Sequence, residues 1–205
     1  MRSEVGTSRV EAFSDGVFAI ALTLLILEIR VPHATPDHTL WAGLVALWPS
    51  YVAFVLSFFV VLVMWVNHHE LMRLAGRTVS YPFLFANGLL LLSVTFVPFP
   101  TAILAQYLAT ADAKVAVAFY CGSFLVNSLA WNLLFATIVR GRLLRPDIDA
   151  ATIVRIRRAY VFGPVVYAVA TIAALFQPVL GLVVNASLWL LWIGFGYHST
   201  RQDVR

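Results

Sequence analysis

Long apolar runs alternate with short polar intervals along the chain, and the runs are long enough to cross a bilayer. An apolar stretch of about 20 residues spans the ~30 Å hydrocarbon layer as a helix. Six such stretches stand out: Phe13–Val31, Leu40–Val66, Pro82–Leu108, Val115–Val139, Ala159–Phe176 and Val179–Tyr197. They predict an all-α integral membrane protein, with residues 1–205 forming a single transmembrane domain of six helices. Only Gln177 and Pro178 separate the last two runs, so these should form a helical hairpin. The polar interval Arg140 to Arg158 is too short for a soluble domain. No internal repeat, and so no inverted repeat of the kind common in carriers, is visible. The polar start, Met1 to Glu11, leads into a run too long for the apolar core of a secretory signal.

The first run reads RVEAFSDGVFAIALTLLILEI from Arg9 to Ile29. Ser8 and Glu11 have the spacing of a capping box, which predicts a helix start there. Pro32 is expected to stop the helix. Arg9 to Val31 would be one continuous helix about 34 Å long. At about 100° per residue, Phe13, Gly16, Thr23, Leu24 and Leu27 fall within about 60° of Ile20 and form one stripe. Asp15 falls on the other side. A carboxylate near the membrane is expensive and normally points at partners within the protein. With the N-terminus inside, the second helix leaves the membrane beside Trp65-Val66-Asn67-His68-His69, and the third re-enters with Asn87 about two turns in. Ser14, Asp15, His68 or His69, and Asn87 then share one depth. A buried polar network among them would tie three helices together.

Charge supplies the direction. Placing the N- and C-termini in the cytoplasm puts twelve of the fourteen Lys and Arg residues inside, leaving Arg30 and Lys114 outside. The sequence pI of 9.6 is therefore a topology signal and gives no reason to expect a nucleic-acid partner. The cluster from Arg140 to Arg158 either faces water or touches anionic lipid heads. Composition agrees with the membrane assignment: 61% of residues are hydrophobic, 12% are charged, and mean hydropathy is +0.87. Soluble domains carry about 25% charged residues.

Candidate chemistry is sparse. Cys121 is the one cysteine, so no intrachain disulfide can form. His68 and His69 point about 100° apart on a helix and belong to no H-E-x-x-H pattern, so no metal is expected, nor any cofactor. Either histidine could titrate between about pH 5 and 8 and make the protein pH-sensitive. Asp15 with His68 is the only candidate catalytic dyad, and nothing nearby completes an active site. No charged residue lies at mid-membrane, which disfavours a coupled carrier, although Pro98, Pro100 and Pro164 would allow broken helices.

The pattern R-x-x-x-F-S-D followed by an apolar helix, with WVNHHELMR at Trp65–Arg73 and NGLLLLSVTFVPFPT at Asn87–Thr101, resembles the lysosomal potassium channel family, the transmembrane protein 175 family. The six-helix layout resembles its single-repeat prokaryotic members. The resemblance is specific in the first three helices and compositional in the last three. It implies a homotetrameric channel in a prokaryotic plasma membrane, permeable to potassium and other monovalent cations, with the first helix of each subunit lining the pore. It also implies an apolar constriction at Ile20, Leu24 and Leu27 and an ion-contacting hydroxyl at Thr23. Arg9, Phe13, Ser14 and Asp15 would hold the first helix against Trp65, His68 and Asn87. The sequence holds no T-V-G-Y-G filter, so selectivity would be modest and would come from an apolar neck that gates by dewetting. Glu28 would sit near the outer mouth and attract cations, pair with Arg30, or bind lipid-side water. The competing reading is a secondary transporter of a small ion or solute; a membrane enzyme ranks last.

Overall fold

The computed structural model describes residues 6–32, 39–76 and 80–188. Its helices are α1 (Thr7–Leu24), continued by a 3₁₀ turn (Leu25–Glu28), α2 (Leu40–Ala46), α3 (Trp48–Leu74), α4 (Tyr81–Thr95), α5 (Pro98–Tyr107), α6 (Ala113–Arg140), α7 (Ala150–Phe176) and α8 (Pro178–Leu188). Among the described residues, five helical stretches are long and apolar enough to cross a membrane: Thr7–Glu28, Trp48–Leu74, Tyr81–Tyr107, Ala113–Arg140 and Ala150–Phe176. Of the expected sixth span, residues 179–188 lie in α8, and residues 189–197 lie outside the described residues.

Proline explains where the expected spans differ from the observed helices. The run from Leu40 is two helices, because Pro49 in the first turn of α3 has no amide to carry the ladder through Leu47. Beyond that break α3 continues past Val66 to Leu74. The third span breaks between α4 and α5, where Pro98 and Pro100 remove two donors. Tighter turns take up the slack there, with Val97 N–H bonding Val94 O at 3.1 Å and Phe99 N–H bonding Phe96 O at 3.1 Å. Pro164 lies inside α7, yet the helix continues through it. Proline at that position cannot donate to the carbonyl of Tyr160 four residues earlier. The Asn132 side chain of α6 donates to that carbonyl instead, at 2.7 Å. A freed backbone acceptor in hydrocarbon would otherwise cost several kcal/mol, as a rough figure.

α6 is the central element. It packs along α7 and also against α4 and α5, while α1 packs against α3 and α4. The fully buried Phe83, Leu90, Tyr120, Phe124, Leu134 and Ile138 fill the space between them. A second polar tie crosses this core: Ser57 Oγ lies 2.7 Å from Thr101 Oγ1 and 3.1 Å from Tyr120 Oη. The expected hairpin forms at Gln177, and α8 returns so close that a Cβ on Gly181 would stand 2.6 Å from Ala174 Cβ. Only glycine fits that approach. At the end of the bundle carrying the N-terminus of α1, Gly76 N–H bonds Leu143 O at 2.6 Å and Arg145 N–H bonds Leu74 O at 3.0 Å. The α3–α4 and α6–α7 connections are thereby clipped together.

Candidate functional site

α1 has two unlike faces. Val10, Ser14, Phe18 and Ala21, with Leu25 in the 3₁₀ turn, recur every three or four residues and are buried against the rest of the chain. The other face is bare: Phe13 is 67% exposed, Ile20 60%, Leu24 41% and Leu27 68%. The stripe expected from helical spacing is thus the face of α1 that its own chain leaves uncovered.

The helix itself differs from expectation at both ends. It begins at Thr7 with Gly6 as its cap, and no side chain caps it, so the capping box of Ser8 and Glu11 does not form. Glu11 is engaged elsewhere, as described below. At the far end the α-helix gives way to the 3₁₀ turn after Leu24, four residues long, and ends before Pro32 is reached. In 3₁₀ geometry residues three apart eclipse each other, about 2.0 Å of rise per residue. Leu27 therefore stands directly beyond Leu24 instead of about 60° to one side. The α-helix and its 3₁₀ extension together span roughly 35 Å, enough for the hydrocarbon layer.

The polar residues split into two sets. Ser14 is fully buried; its hydroxyl donates to Val10 O at 2.8 Å and accepts from Asn87 Nδ2 at 3.1 Å. Asn87 Oδ1 lies 2.9 Å from Nε2 of the fully buried His68. Because the Asn87 amide nitrogen is committed to Ser14, its oxygen faces His68, and His68 Nε2 carries the proton. His68 Nδ1 is then a buried acceptor without a partner among the described residues. The ring is wedged between Phe18 and Trp131, at centroid distances of 5.4 Å and 6.2 Å. These contacts join α1, α3, α4 and α6 at one depth.

Asp15 stands outside that set. Its Oδ1 accepts the Trp65 indole N–H at 2.9 Å. The expected network of Ser14, Asp15, histidine and Asn87 is therefore two separate ties, because consecutive residues point about 100° apart on a helix. The Asp15–His68 dyad does not form, since each has a different partner. One turn further along both helices, Glu11 Oε1 lies 2.8 Å from His69 Nδ1. Beyond that, the Thr7 hydroxyl donates to Gly76 O. Thr7, Glu11 and Asp15 thus meet the α3 side at four-residue intervals, as rungs between antiparallel helices. The sequence reading missed the first two rungs. The i, i+4 pairs Glu11/Asp15 and Trp65/His69 were the signal that could have revealed the second.

Two expected anchors do not take part. Phe13 is exposed, and Arg9 is exposed, its side chain making no hydrogen bond or ion pair among the described residues. Glu28 and Arg30 form no ion pair with each other. Thr23 is exposed, and its hydroxyl donates to Ile20 O at 2.9 Å. That bond uses its hydrogen and leaves the oxygen lone pairs facing away from the helix. Among the described residues, no group of three or more His, Cys, Asp and Glu side chains could hold a metal ion.

Comparison with known proteins adds identity to this geometry. Residues 9–98 match the family described as endosomal/lysosomal potassium channel TMEM175. The chain is 50% identical over 167 residues to a potassium channel of Chamaesiphon minutus, covering 80% of this chain and 82% of that one. It is 42% identical over 191 residues to a potassium channel of Streptomyces collinus, covering 92% of each. The crystal structure of a lysosomal potassium-selective channel TMEM175 homolog from Chamaesiphon minutus superimposes with a TM-score of 0.81. That match has 43% identity and covers 93% of this chain and 97% of the other.

Proposed function

Because this chain belongs to the endosomal/lysosomal potassium channel TMEM175 family, whose members are ion channels and not enzymes, we propose that it conducts potassium through a pore lined by α1. In this reading the protein is a homotetramer in a prokaryotic plasma membrane, each chain contributing a single six-helix transmembrane unit with both termini inside. The observation that carries the pore assignment is the division of α1 into an anchored face and a bare one. Two ties to α3, one to Gly76 just beyond it and the Ser14–Asn87–His68 set hold one face, while Ile20, Leu24 and Leu27 are left exposed by their own chain.

Four copies arranged around an axis would close that bare face into a neck. Ile20 forms the first ring, and the Leu24 and Leu27 rings stand in line beyond it because of the 3₁₀ turn. An apolar neck excludes water when narrow and passes a partly dehydrated ion when slightly wider. Potassium sheds water more readily than sodium, so the neck favours potassium without dedicated ligands and selects modestly. The Thr23 oxygen, freed by its bond to Ile20 O, replaces part of the lost water. Rigid anchoring matters here, since a neck of side chains selects only if the helices bearing them hold their spacing.

Current recording from the protein reconstituted in liposomes tests this. Unitary currents that reverse nearer the potassium than the sodium equilibrium potential are expected. Ile20→Asn should raise the leak and move the reversal potential towards equal permeability. Saturable uptake without unitary currents would assign a carrier. Unchanged currents in Ile20→Asn would remove Ile20 from the pore.

A further inference from the structure

We propose that the arginine-bearing surface formed by the end of α6, its connection to α7 and the first turns of α7 binds the phosphate group of an anionic phospholipid. Arg140, Arg142, Arg155, Arg157 and Arg158 all lie here and all are exposed. None of them has an ion-pair partner among the described residues. The two acids of the segment are already engaged. Asp147 is bound by the Arg145 guanidinium, which holds its carboxyl below the usual carboxylate range. Asp149 caps α7, accepting Thr152 N–H at 2.7 Å, and that bond likewise lowers its pKa. The surface therefore carries unneutralised positive charge.

Its position is that of lipid headgroups. From Ala159 to Phe176 α7 has no charged residue, and this length is about 27 Å, close to the ~30 Å hydrocarbon layer. Arg155, Arg157 and Arg158 directly precede that stretch, so they stand at its boundary. Arg155 and Arg158 share a helix face and, with Ala150, Ala151, Val154 and Ala159, line an open hollow. Two like charges at that spacing repel each other, and an anion between them removes the repulsion. Guanidinium groups hold a phosphate through paired hydrogen bonds. Val161 and Phe162, exposed on the following turn, offer apolar surface for the acyl chains.

Arg142 belongs to the same surface and has an unusual backbone. It has φ 53°, the left-handed conformation normally given to glycine at a helix end. Leu143 N–H bonds Ile138 O at 3.0 Å and Arg142 N–H bonds Val139 O at 3.2 Å, the bonding that closes such an end. The neighbouring Gly141 sits in the ordinary helical region instead. An arginine thus stands at a position where it is conformationally costly.

The test is binding to the detergent-purified full-length protein, read by native mass spectrometry with phosphatidylglycerol and phosphatidylcholine of matched chains. Phosphatidylglycerol is expected to bind at least tenfold more tightly. R155Q/R158Q should lose roughly 30-fold of that affinity, about fivefold per arginine. R155K/R158K, which keeps the charge, should retain most of it. R30Q, at the other end of the bundle, should be unaffected. Equal binding of the two lipids, or phosphatidylglycerol binding unchanged in R155Q/R158Q, overturns the proposal. Displacement of the lipid by millimolar glycerol phosphate would also overturn it, because it would show a site for free phosphate. No part of this readout depends on ion permeation, so it stands apart from the channel assignment.

Discussion

Replacing Asn87 by leucine tests the anchoring of α1 most sharply. Asn87 is 3% exposed and makes two bonds between helices, accepting from His68 at 2.9 Å and donating to Ser14 at 3.1 Å. Leucine can make neither. His68 already lacks a partner at Nδ1 among the described residues, so its ring would lose its remaining hydrogen bond while fully buried. A buried donor left unpaired costs about 1–3 kcal/mol. Ser14 keeps its own bond to Val10 O and loses only an incoming donor. Hydrogen bonds between membrane helices average about 0.6 kcal/mol. The sum is about 2.6 kcal/mol, or roughly 80-fold in the unfolding constant. Reversible unfolding in mixed micelles, followed by tryptophan fluorescence, reads it, since Trp131 packs against His68. In a double-mutant cycle, Ser14→Ala and Asn87→Leu should couple by about 0.6 kcal/mol. Trp65→Phe shares no partner with Asn87 and should add to it independently. Asn87→Leu unfolding within about 0.5 kcal/mol of the parent, the usual range of neutral substitutions, would refute the anchoring role.

Three further outcomes follow from the same geometry. Asp15→Asn should leave assembly and melting almost unchanged, because an amide oxygen still accepts the Trp65 indole N–H, whereas Asp15→Leu should lower the melting temperature; equal melting of the two variants would contradict this. Arg142→Gly should stabilise the protein by roughly 1 kcal/mol in the same unfolding assay, because glycine adopts positive φ without the Cβ clash. The Asp149 cap should depend on pH: its carboxyl is held below the ordinary 3.8 by the Thr152 bond, so its stabilisation is complete above about pH 5 and fades as pH falls through the lowered value; hydrogen-exchange protection factors at the first turn of α7, which correct for the slower intrinsic exchange in acid, should fall on acidification in the parent and much less in Asp149→Asn.

Much of this arrangement was legible because membrane helices are long and regular. The uncovered stripe at Ile20, Leu24 and Leu27 followed from periodicity, and Ser14, His68 and Asn87 did come together because antiparallel helices place their matching ends at one depth. The failures have physical causes. Asp15 left the Ser14 set because adjacent residues on a helix cannot face the same neighbour. Glu11 was expected to cap its own helix, but a carboxylate that can reach His69 on α3 serves there. The breaks at Leu47 and before Pro98 followed from prolines that hydropathy alone does not register. Asn132, by contrast, was invisible in the pattern: its function appears only when α6 places it over the carbonyl that Pro164 leaves free.

The central claim is that copies of α1 meet around an axis. Cryo-electron microscopy of the intact protein in lipid nanodiscs tests it directly. The expected image is a fourfold particle with Ile20, Leu24 and Leu27 from every subunit facing the axis. A particle whose α1 helices lie at the rim, with those side chains against lipid, would contradict it.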